Sequence, residues 1–153
     1  PAVSLSEMLN NPAPAPVVLL ERPRNLGNIG AAVRVAAAAG AAGVLTIGTQ
    51  DPWHPAALIG GAGLQFALPV TRTDALPDCA RPLVVIDPGG EPLGECSIPE
   101  RAILAFGAER AGISGQLMAL AERRVSIPMS AGVSSLNLAT AVAVVLYSGK
   151  LGQ

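Results

Sequence analysis

The amino-acid sequence predicts an α/β domain with a mostly parallel β-sheet flanked by helices. Short apolar runs rich in branched residues alternate along the chain with longer segments of helical character. The runs are apolar throughout, as expected for parallel strands covered on both faces, rather than alternating with polar residues. Loops containing glycine and polar residues separate the elements, and strands that alternate with helices are typical of a parallel sheet.

The predicted elements follow one another from Val17 onward. Residues 1–16, PAVSLSEMLNNPAPAP, combine a short amphipathic turn with a proline-rich stretch and are predicted to be a linker or N-terminal extension. Residues 17–153 are then the folded domain. The predicted strands are 17–20, 44–47, 66–70, 83–87, 102–106 and 125–129. The predicted helices, bounded by glycine, proline or a capping serine, are 30–39, 54–61, 114–124 and 135–149.

Composition excludes several classes of protein. The chain has 153 residues, of which 50% are hydrophobic and 14% charged, which fits one globular domain rather than a disordered chain. No apolar run reaches the roughly 18 residues of a membrane span, and the start has no basic and apolar leader, so no secretory signal is expected. Cys79 and Cys96 are far apart in sequence and are expected to remain reduced thiols in the cytoplasm.

Charge and metal-ligand content add two expectations. The net charge of -1 argues against a general nucleic-acid coat. A single histidine and the lack of a Cys/His cluster predict that the protein has no metal site.

Four loops are candidates for ligand binding because ligands of open α/β sheets bind beyond the carboxyl ends of the strands. They mix glycine with polar residues and read ERPRNLGNIG, PGGEPLG, GAERAGIS and SAGVSSLN, after the first, fourth, fifth and sixth predicted strands. Such glycines let the main chain approach a ligand closely, although they also occur in ordinary turns. The first loop has neither G-x-G-x-x-G nor a P-loop, so NAD and ATP are not predicted. A flavodoxin-like or nucleotide-binding regulator would need such a motif.

Arg34 is a lone cation in a helix of alanine and valine. Helical side chains lean toward the N-terminus, so in a helix that begins near Gly30 the Arg34 guanidinium would return to the level of Asn28. The free N–H groups of the first helical turn would lie beside it, and together they would suit a phosphate. The alternative is an ion pair between Arg34 and a carboxylate such as Glu109.

Polar residues also occur in the last two candidate loops. Ser135 is interpreted as the N-cap of the final helix. Asn137 lies in an otherwise apolar helix and is therefore expected to have a polar partner. Glu109 could orient Arg34 or a substrate group, or could belong to a simple surface turn.

Three segments, taken together in order and spacing, carry a resemblance to a known family. NIGAAVR (28–34) resembles a first motif, N-x-G-x-x-x-R, and LAFGAERAGIS (104–114) resembles a second, G-x-E-x-x-G-I. IPMSAGVSSLNLATAVAVVLY (127–147) resembles a third, I-P-M followed by S-L-N and an apolar helix. On these motifs the chain resembles the TrmH (SpoU) branch of the SPOUT superfamily, which comprises S-adenosylmethionine-dependent RNA 2'-O-ribose methyltransferases.

The resemblance implies a fold and an assembly that composition does not reveal. Family members have a deep C-terminal trefoil knot, whose loops hold S-adenosylmethionine in a bent shape through main-chain groups. They act on tRNA or rRNA as homodimers with the active site at the interface. A dimer fits this sequence, because its predicted final helix is too apolar to face water. A missing N-terminal RNA-binding domain would favour rRNA as substrate, and a complete chain would favour tRNA.

The resemblance also implies roles for individual residues. The positions that match the family's catalytic and substrate-orienting residues are Asn28, Arg34, Glu109, Ser135 and Asn137. The positions that match its cofactor-binding residues are Gly107, Ile127, Met129 and Leu136. Since an arginine guanidinium stays protonated at neutral pH, we expect Arg34 to bind the phosphate and stabilise charge on the 2'-oxygen rather than act as base.

One residue departs from the family pattern. The second motif commonly reads G-N-E, and Ala108 replaces its asparagine here. A non-catalytic RNA-binding or cofactor-binding module of the same fold is therefore the alternative function.

Overall fold

The computed structural model describes residues 3–151, without the side chain of Leu151, and has the predicted α/β fold. Its six strands are β1 (Val17–Glu21), β2 (Gly43–Ile47), β3 (Val70–Thr73), β4 (Leu83–Pro92), β5 (Ile103–Phe106) and β6 (Arg123–Ser126). They form one sheet in the order β3-β2-β1-β5-β4-β6, and all five pairings between them are parallel. The helices are α1 (Leu5–Asn10), α2 (Leu26–Ala38), α3 (Pro55–Gly60), α4 (Gly115–Leu120) and α5 (Leu138–Leu151), and Leu64–Phe66 form a short 3₁₀ helix.

Helices cover both faces of the sheet, which explains why its strands are apolar throughout. Successive residues of β1 point to opposite faces. Val18 and Leu20 pack in a core with residues of α2, α3 and α5. Val17 and Leu19 pack in a second core with residues of α1 and α4. Every residue of β1 and β2 is buried, as expected for parallel strands between two helical layers.

The segment before β1 packs against the second face of the sheet. Met8 and Leu9 of α1 are buried there. The buried Arg81 guanidinium donates hydrogen bonds to the carbonyls of Leu9, Asn11 and Ala15, at 2.8–3.0 Å. Residues 3–16 are thus held by the domain, and their separate role as a linker or extension stays a prediction.

Several predicted boundaries are wrong. Of the predicted strand 66–70, Phe66 ends a 3₁₀ helix and only Val70 belongs to a strand, because Gly63 turns the chain with a φ of 74° and Pro69 lacks the N–H that a strand would use. The predicted helix 114–124 ends at Leu120, where β6 soon follows.

Two helices begin at residues other than predicted, because asparagines cap them. The predicted helix 30–39 begins at Leu26, where the Asn25 side chain accepts a hydrogen bond from the Asn28 N–H. The helix predicted over 135–149 begins at Leu138 for the corresponding reason, since the Asn137 side chain accepts hydrogen bonds from the N–H groups of Ala139 and Thr140.

The parallel topology positions the candidate loops. β1, β5, β4 and β6 are consecutive in the sheet, so the candidate loops after β1, β5 and β6 leave from the same edge, whereas the second candidate loop, 88–94, lies mostly within β4, which extends to Pro92. None of the helices between residues 3 and 151 combines the length and apolarity needed to cross a membrane.

Candidate functional site

Residues 86–88 of β4 and the loops that follow β5 and β6 enclose a cavity of about 660 Å³ at the carboxyl edge of the sheet. Apolar side chains form one wall of it: Ile86, Phe106, Ile127, Leu136 and Leu138. Polar residues also line it, Asp87 and Ser126 from strands and Glu109 and Ser135 from loops. All four predicted cofactor residues, Gly107, Ile127, Met129 and Leu136, line this cavity.

The loop after β5 is packed so tightly that its first residue must be glycine. A Cβ on Gly107 would lie 2.2 Å from the carbonyl carbon of Gly112. The loop closes on itself through a hydrogen bond of 2.9 Å from the Gly112 N–H to the Ala108 carbonyl. Ala108 thus contributes its main chain to this turn, which forms without the asparagine side chain of the common motif.

A hydrogen-bonded network joins three of the predicted residues, one from each motif segment. The Asn28 Nδ2 donates to Glu109 Oε1 at 2.8 Å. The Asn137 Nδ2 donates to Asn28 Oδ1 at 3.1 Å, so Asn28 is the polar partner expected for Asn137. The side-chain oxygen of Asn137 accepts the hydrogen bonds that cap α5. All three side chains therefore have a defined orientation.

Ser135 lies at the cavity but not at the helix start. Its side chain is exposed, and it lines the cavity together with Glu109. The predicted N-cap role of Ser135 is wrong, since Asn137 caps α5. The Ser135 hydroxyl is consequently not used by the helix.

Arg34 is exposed and stands apart from this network. Because α2 begins at Leu26, Arg34 lies more than two turns inside the helix, and its head group cannot return to the free N–H groups. The predicted helix-mouth phosphate site is therefore wrong. The alternative, an ion pair with Glu109, is also not formed, and no hydrogen bond or ion pair between residues 3 and 151 involves the Arg34 side chain.

Helical geometry explains the separation of Arg34 from Asn28. Six residues correspond to about 600° of rotation, which leaves the two side chains roughly 120° apart around the axis of α2. Arg34 shares its side of the helix with Gly30, whose Cα faces α3, whereas Asn28 faces the loops before α5.

Sequence reasoning missed two carboxylates. Asp87 follows the apolar run of β4 and lines the cavity, where its Oδ2 accepts hydrogen bonds from Arg124 Nη2 at 2.6 Å and Gly89 N at 3.0 Å. The hydrogen bond from Arg124 lowers the pKa of Asp87, although partial burial acts in the opposite direction. Asp87 is therefore ionised at neutral pH.

The second missed carboxylate is Glu21, at the carboxyl end of β1. It is buried and accepts hydrogen bonds from the Ser114 N–H at 2.7 Å and the Ser114 hydroxyl at 2.6 Å. Ser114 ends the loop after β5 and caps α4. Glu21 thus ties the far end of that loop to β1, while Asn28 holds the loop at Glu109.

Within residues 3–151, no cluster of three or more histidine, cysteine, aspartate or glutamate side chains could hold a metal ion. The site consists instead of an apolar cavity, two carboxylates and an amide network. Such a site suits an organic ligand with an aromatic part and positive charge.

Comparison with known proteins gives consistent matches. Residues 15–147 match the model of the SpoU rRNA Methylase family. The 23S rRNA (adenosine(1067)-2'-O)-methyltransferase of Streptomyces laurentii is 36% identical over 141 residues, which are 86% of this chain and 52% of that protein. The 23S rRNA (uridine(2479)-2'-O)-methyltransferase of Streptomyces viridochromogenes is 33% identical over 146 residues, covering 85% of this chain and 50% of that protein.

A solved structure agrees with these matches. The SpoU methyltransferase AviRb from Streptomyces viridochromogenes, in complex with the cofactor AdoMet, superposes with a TM-score of 0.88 at 29% identity, covering 100% of this chain and 67% of that one. The chain spans about half the length of the curated relatives it matches.

Proposed function

The chain belongs to the SpoU rRNA Methylase family, and on that premise we propose that it transfers a methyl group from S-adenosylmethionine to a ribose 2'-oxygen of RNA. The observation that carries this proposal is the Asn28 amide, which connects the first, second and third motif segments and contacts Glu109, a residue that lines the cavity. The named relatives support it, since both are 2'-O-methyltransferases of 23S rRNA.

The cavity fits S-adenosylmethionine in size and chemistry. Its volume of about 660 Å³ is within the roughly 300–1,000 Å³ typical of small-molecule sites. The apolar wall suits an adenine ring, and the carboxylates of Asp87 and Glu109 suit a ligand that carries hydroxyl donors and positive charge. When bound, this cofactor supplies a methyl group activated by a sulfonium sulfur.

The residues of the chain supply geometry and electrostatics. Asn28, Glu109 and Asn137 hold one another in fixed positions, so a ribose at the cavity mouth meets donors and acceptors that need no rearrangement. The Ser135 hydroxyl is exposed at the same mouth and is available to a substrate group. Arg34 binds the neighbouring phosphate and stabilises negative charge on the 2'-oxygen, while water or the phosphate takes the proton.

Arg34 fulfils this role in a homodimer with the active site at the interface. In one chain, Arg34 faces away from the Asn28 network, and the guanidinium is exposed. α5 presents Val144 and Tyr147 to solvent, each 37% exposed, on a helix with few polar residues. A second copy packed near these side chains would cover apolar surface and could bring Arg34 of one copy to the cavity of the other.

The finer features of the SPOUT fold and the place of action belong to the same proposal. The C-terminal part of the chain, with α5, forms a deep trefoil knot. The strand order β5-β4-β6 and the packing of α5 on α2 are compatible with such a knot. The protein acts in the cytoplasm on ribosomal RNA, as the names of the relatives suggest, with tRNA as the alternative that substrate assays distinguish.

Calorimetry and methyl transfer test the proposal together. We expect S-adenosylhomocysteine to bind the wild-type chain and methyl groups from S-adenosylmethionine to enter RNA. Gly107→Ala should abolish cofactor binding, because its Cβ would collide with the Gly112 main chain, whereas Gly115→Ala has open space and should bind normally.

Each negative result has a separate meaning. No binding by the folded wild type would refute the proposed function. Binding without transfer to any RNA would favour the non-catalytic module, for which Ala108 and the acidic charge balance are the sequence arguments. The intact turn at Ala108 and the retained Glu109 contact favour the enzyme.

A further inference from the structure

An irregular segment of β4 turns Asp87 toward the cavity. β4 pairs with β6 at residues 84–86 and again at residues 91–92, and the residues between leave the ladder. The main chain there lies against β6, because a Cβ on Gly90 would be 2.5 Å from the Val125 N. The segment is therefore held in place by packing, and Asp87 lines the cavity at its edge.

The protein donates hydrogen bonds to one oxygen of the Asp87 carboxylate, and the other oxygen can accept from a ligand. Oδ2 accepts from Arg124 Nη2 and from the Gly89 N–H. No hydrogen bond to Oδ1 is formed by any residue in the range 3–151, and the side chain is 19% exposed. An ionised carboxylate only accepts hydrogen bonds, so Oδ1 requires a donor from solvent or ligand.

The surroundings of Asp87 favour a sugar hydroxyl as that donor. Ile86 precedes it in β4, and Phe106 at the end of β5 and Ile127 directly after β6 also line the cavity, which gives an apolar wall beside the carboxylate. A base held against this wall would have its ribose next to Asp87. Carboxylates at the carboxyl end of parallel strands bind ribose hydroxyls in this way in dinucleotide sites.

We propose that Asp87 binds the 2',3'-diol of the cofactor ribose and that Arg124 positions its carboxylate. This inference rests on the proposed function, since it assigns one contact of the proposed cofactor. The second carboxylate of the cavity, Glu109, is held by Asn28 at the mouth and is left for the charged part of the cofactor.

Calorimetric titration with S-adenosylhomocysteine and its 2'-deoxy and 3'-deoxy analogues tests the contact. The wild type should bind at least one deoxy analogue about 10- to 100-fold more weakly than the parent, because a hydrogen bond to a charged acceptor is lost. The Asp87→Ala variant should bind S-adenosylhomocysteine more weakly than the wild type does. The ratio of the Kd of the deoxy analogue to the Kd of S-adenosylhomocysteine should fall to about 3 or less.

Arg124→Gln is the matched control. It removes the same ion pair but leaves the carboxylate, so a preference for the diol should remain, smaller than in the wild type because the carboxylate loses its positioning partner, but above the ratio of about 3 expected for Asp87→Ala. If Asp87→Ala does not fold, Asp87→Asn serves in its place, with a reduced preference expected because the charge is removed.

Two results would overturn the inference. One is a wild type that binds all three compounds equally. The other is an Asp87 variant that weakens parent and analogues by the same factor, which would assign Asp87 to fold or to general charge. In both cases the parent compound still binds, so the proposed function would survive; a wild type that binds none of the three would refute both.

Discussion

At the scale of single residues, the site depends on one amide. Asn28 donates to Glu109 and accepts from Asn137, and these partners lie 81 and 109 residues away in sequence. The motifs predicted these three residues as a group because only their joint order and spacing resemble the family. Their contacts required the fold, since spacing along a chain does not determine which loops meet.

A mutant cycle tests whether Asn28 and Glu109 act as one unit. We expect Asn28→Ala and Glu109→Ala each to lower kcat/KM for RNA methylation about 10- to 100-fold, since each breaks a hydrogen bond to a charged group. The double variant should lose little more than the worse single variant. Steady-state kinetics measures all four proteins, and multiplicative losses would indicate that the two residues act independently.

Arg34→Lys separates charge from geometry at the proposed phosphate contact. Lysine keeps the positive charge but loses the planar fork of donors, so kcat/KM should fall about 10- to 100-fold. The unfolding free energy should change by no more than about 0.5 kcal/mol because Arg34 is exposed. Full turnover by Arg34→Lys would exclude a bidentate contact, and unchanged binding of S-adenosylhomocysteine serves as the control.

At the scale of elements, sequence patterns predicted most strands and helices but not all their ends. Apolar runs were sufficient to predict β1, β2 and β5, because every residue of these strands is buried. Two helix starts were missed because Asn25 and Asn137 act as caps. β3 was misplaced because this edge strand has only one buried residue and therefore no apolar run.

The missed carboxylates have a similar explanation. Glu21 and Asp87 each end an apolar run, where a polar residue is unremarkable in sequence. Their partners, Ser114 and Arg124, are 93 and 37 residues away. Only the packed structure distinguishes them from ordinary strand ends.

The contact between α2 and α3 gives a prediction for glycine in a helix. Gly30→Ala should destabilise the protein by about 1–3 kcal/mol, because its Cβ would lie 2.2 Å from the Ala57 carbonyl oxygen. Gly149→Ala in α5 meets nothing within 4 Å and should stabilise by up to about 1 kcal/mol through helix propensity. Urea unfolding measures both, and equal effects of the two substitutions would contradict the close approach of α2 and α3.

At the scale of the whole molecule, the exposed position of Arg34 and the apolar surface of α5 both suggest a second copy. The sequence predicted a homodimer from the family resemblance and from the character of the last helix. One chain alone does not bring Arg34 to the Asn28 network, so assembly determines whether the predicted site is complete.

Sedimentation of the wild type and two variants tests the dimer. We expect a dimer at micromolar concentration, and Val144→Glu should weaken association about 100-fold or more by placing an unpaired charge in the interface. Leu120→Glu, on the exposed side of α4, introduces the same charge and should leave the dimer intact. A monomeric wild type, or equal effects of both variants, would contradict an interface at α5.

The position of the transferred methyl group tests the central claim most directly. Unmodified ribosomal RNA and tRNA transcripts are incubated with the protein and S-adenosylmethionine carrying a tritiated methyl group, and the RNA is then hydrolysed with alkali. Alkaline cleavage needs a free 2'-hydroxyl, so our account predicts tritium in alkali-stable dinucleotides. Tritium in mononucleotides, which indicates methylated bases, or unlabelled RNA despite measured cofactor binding, would contradict it.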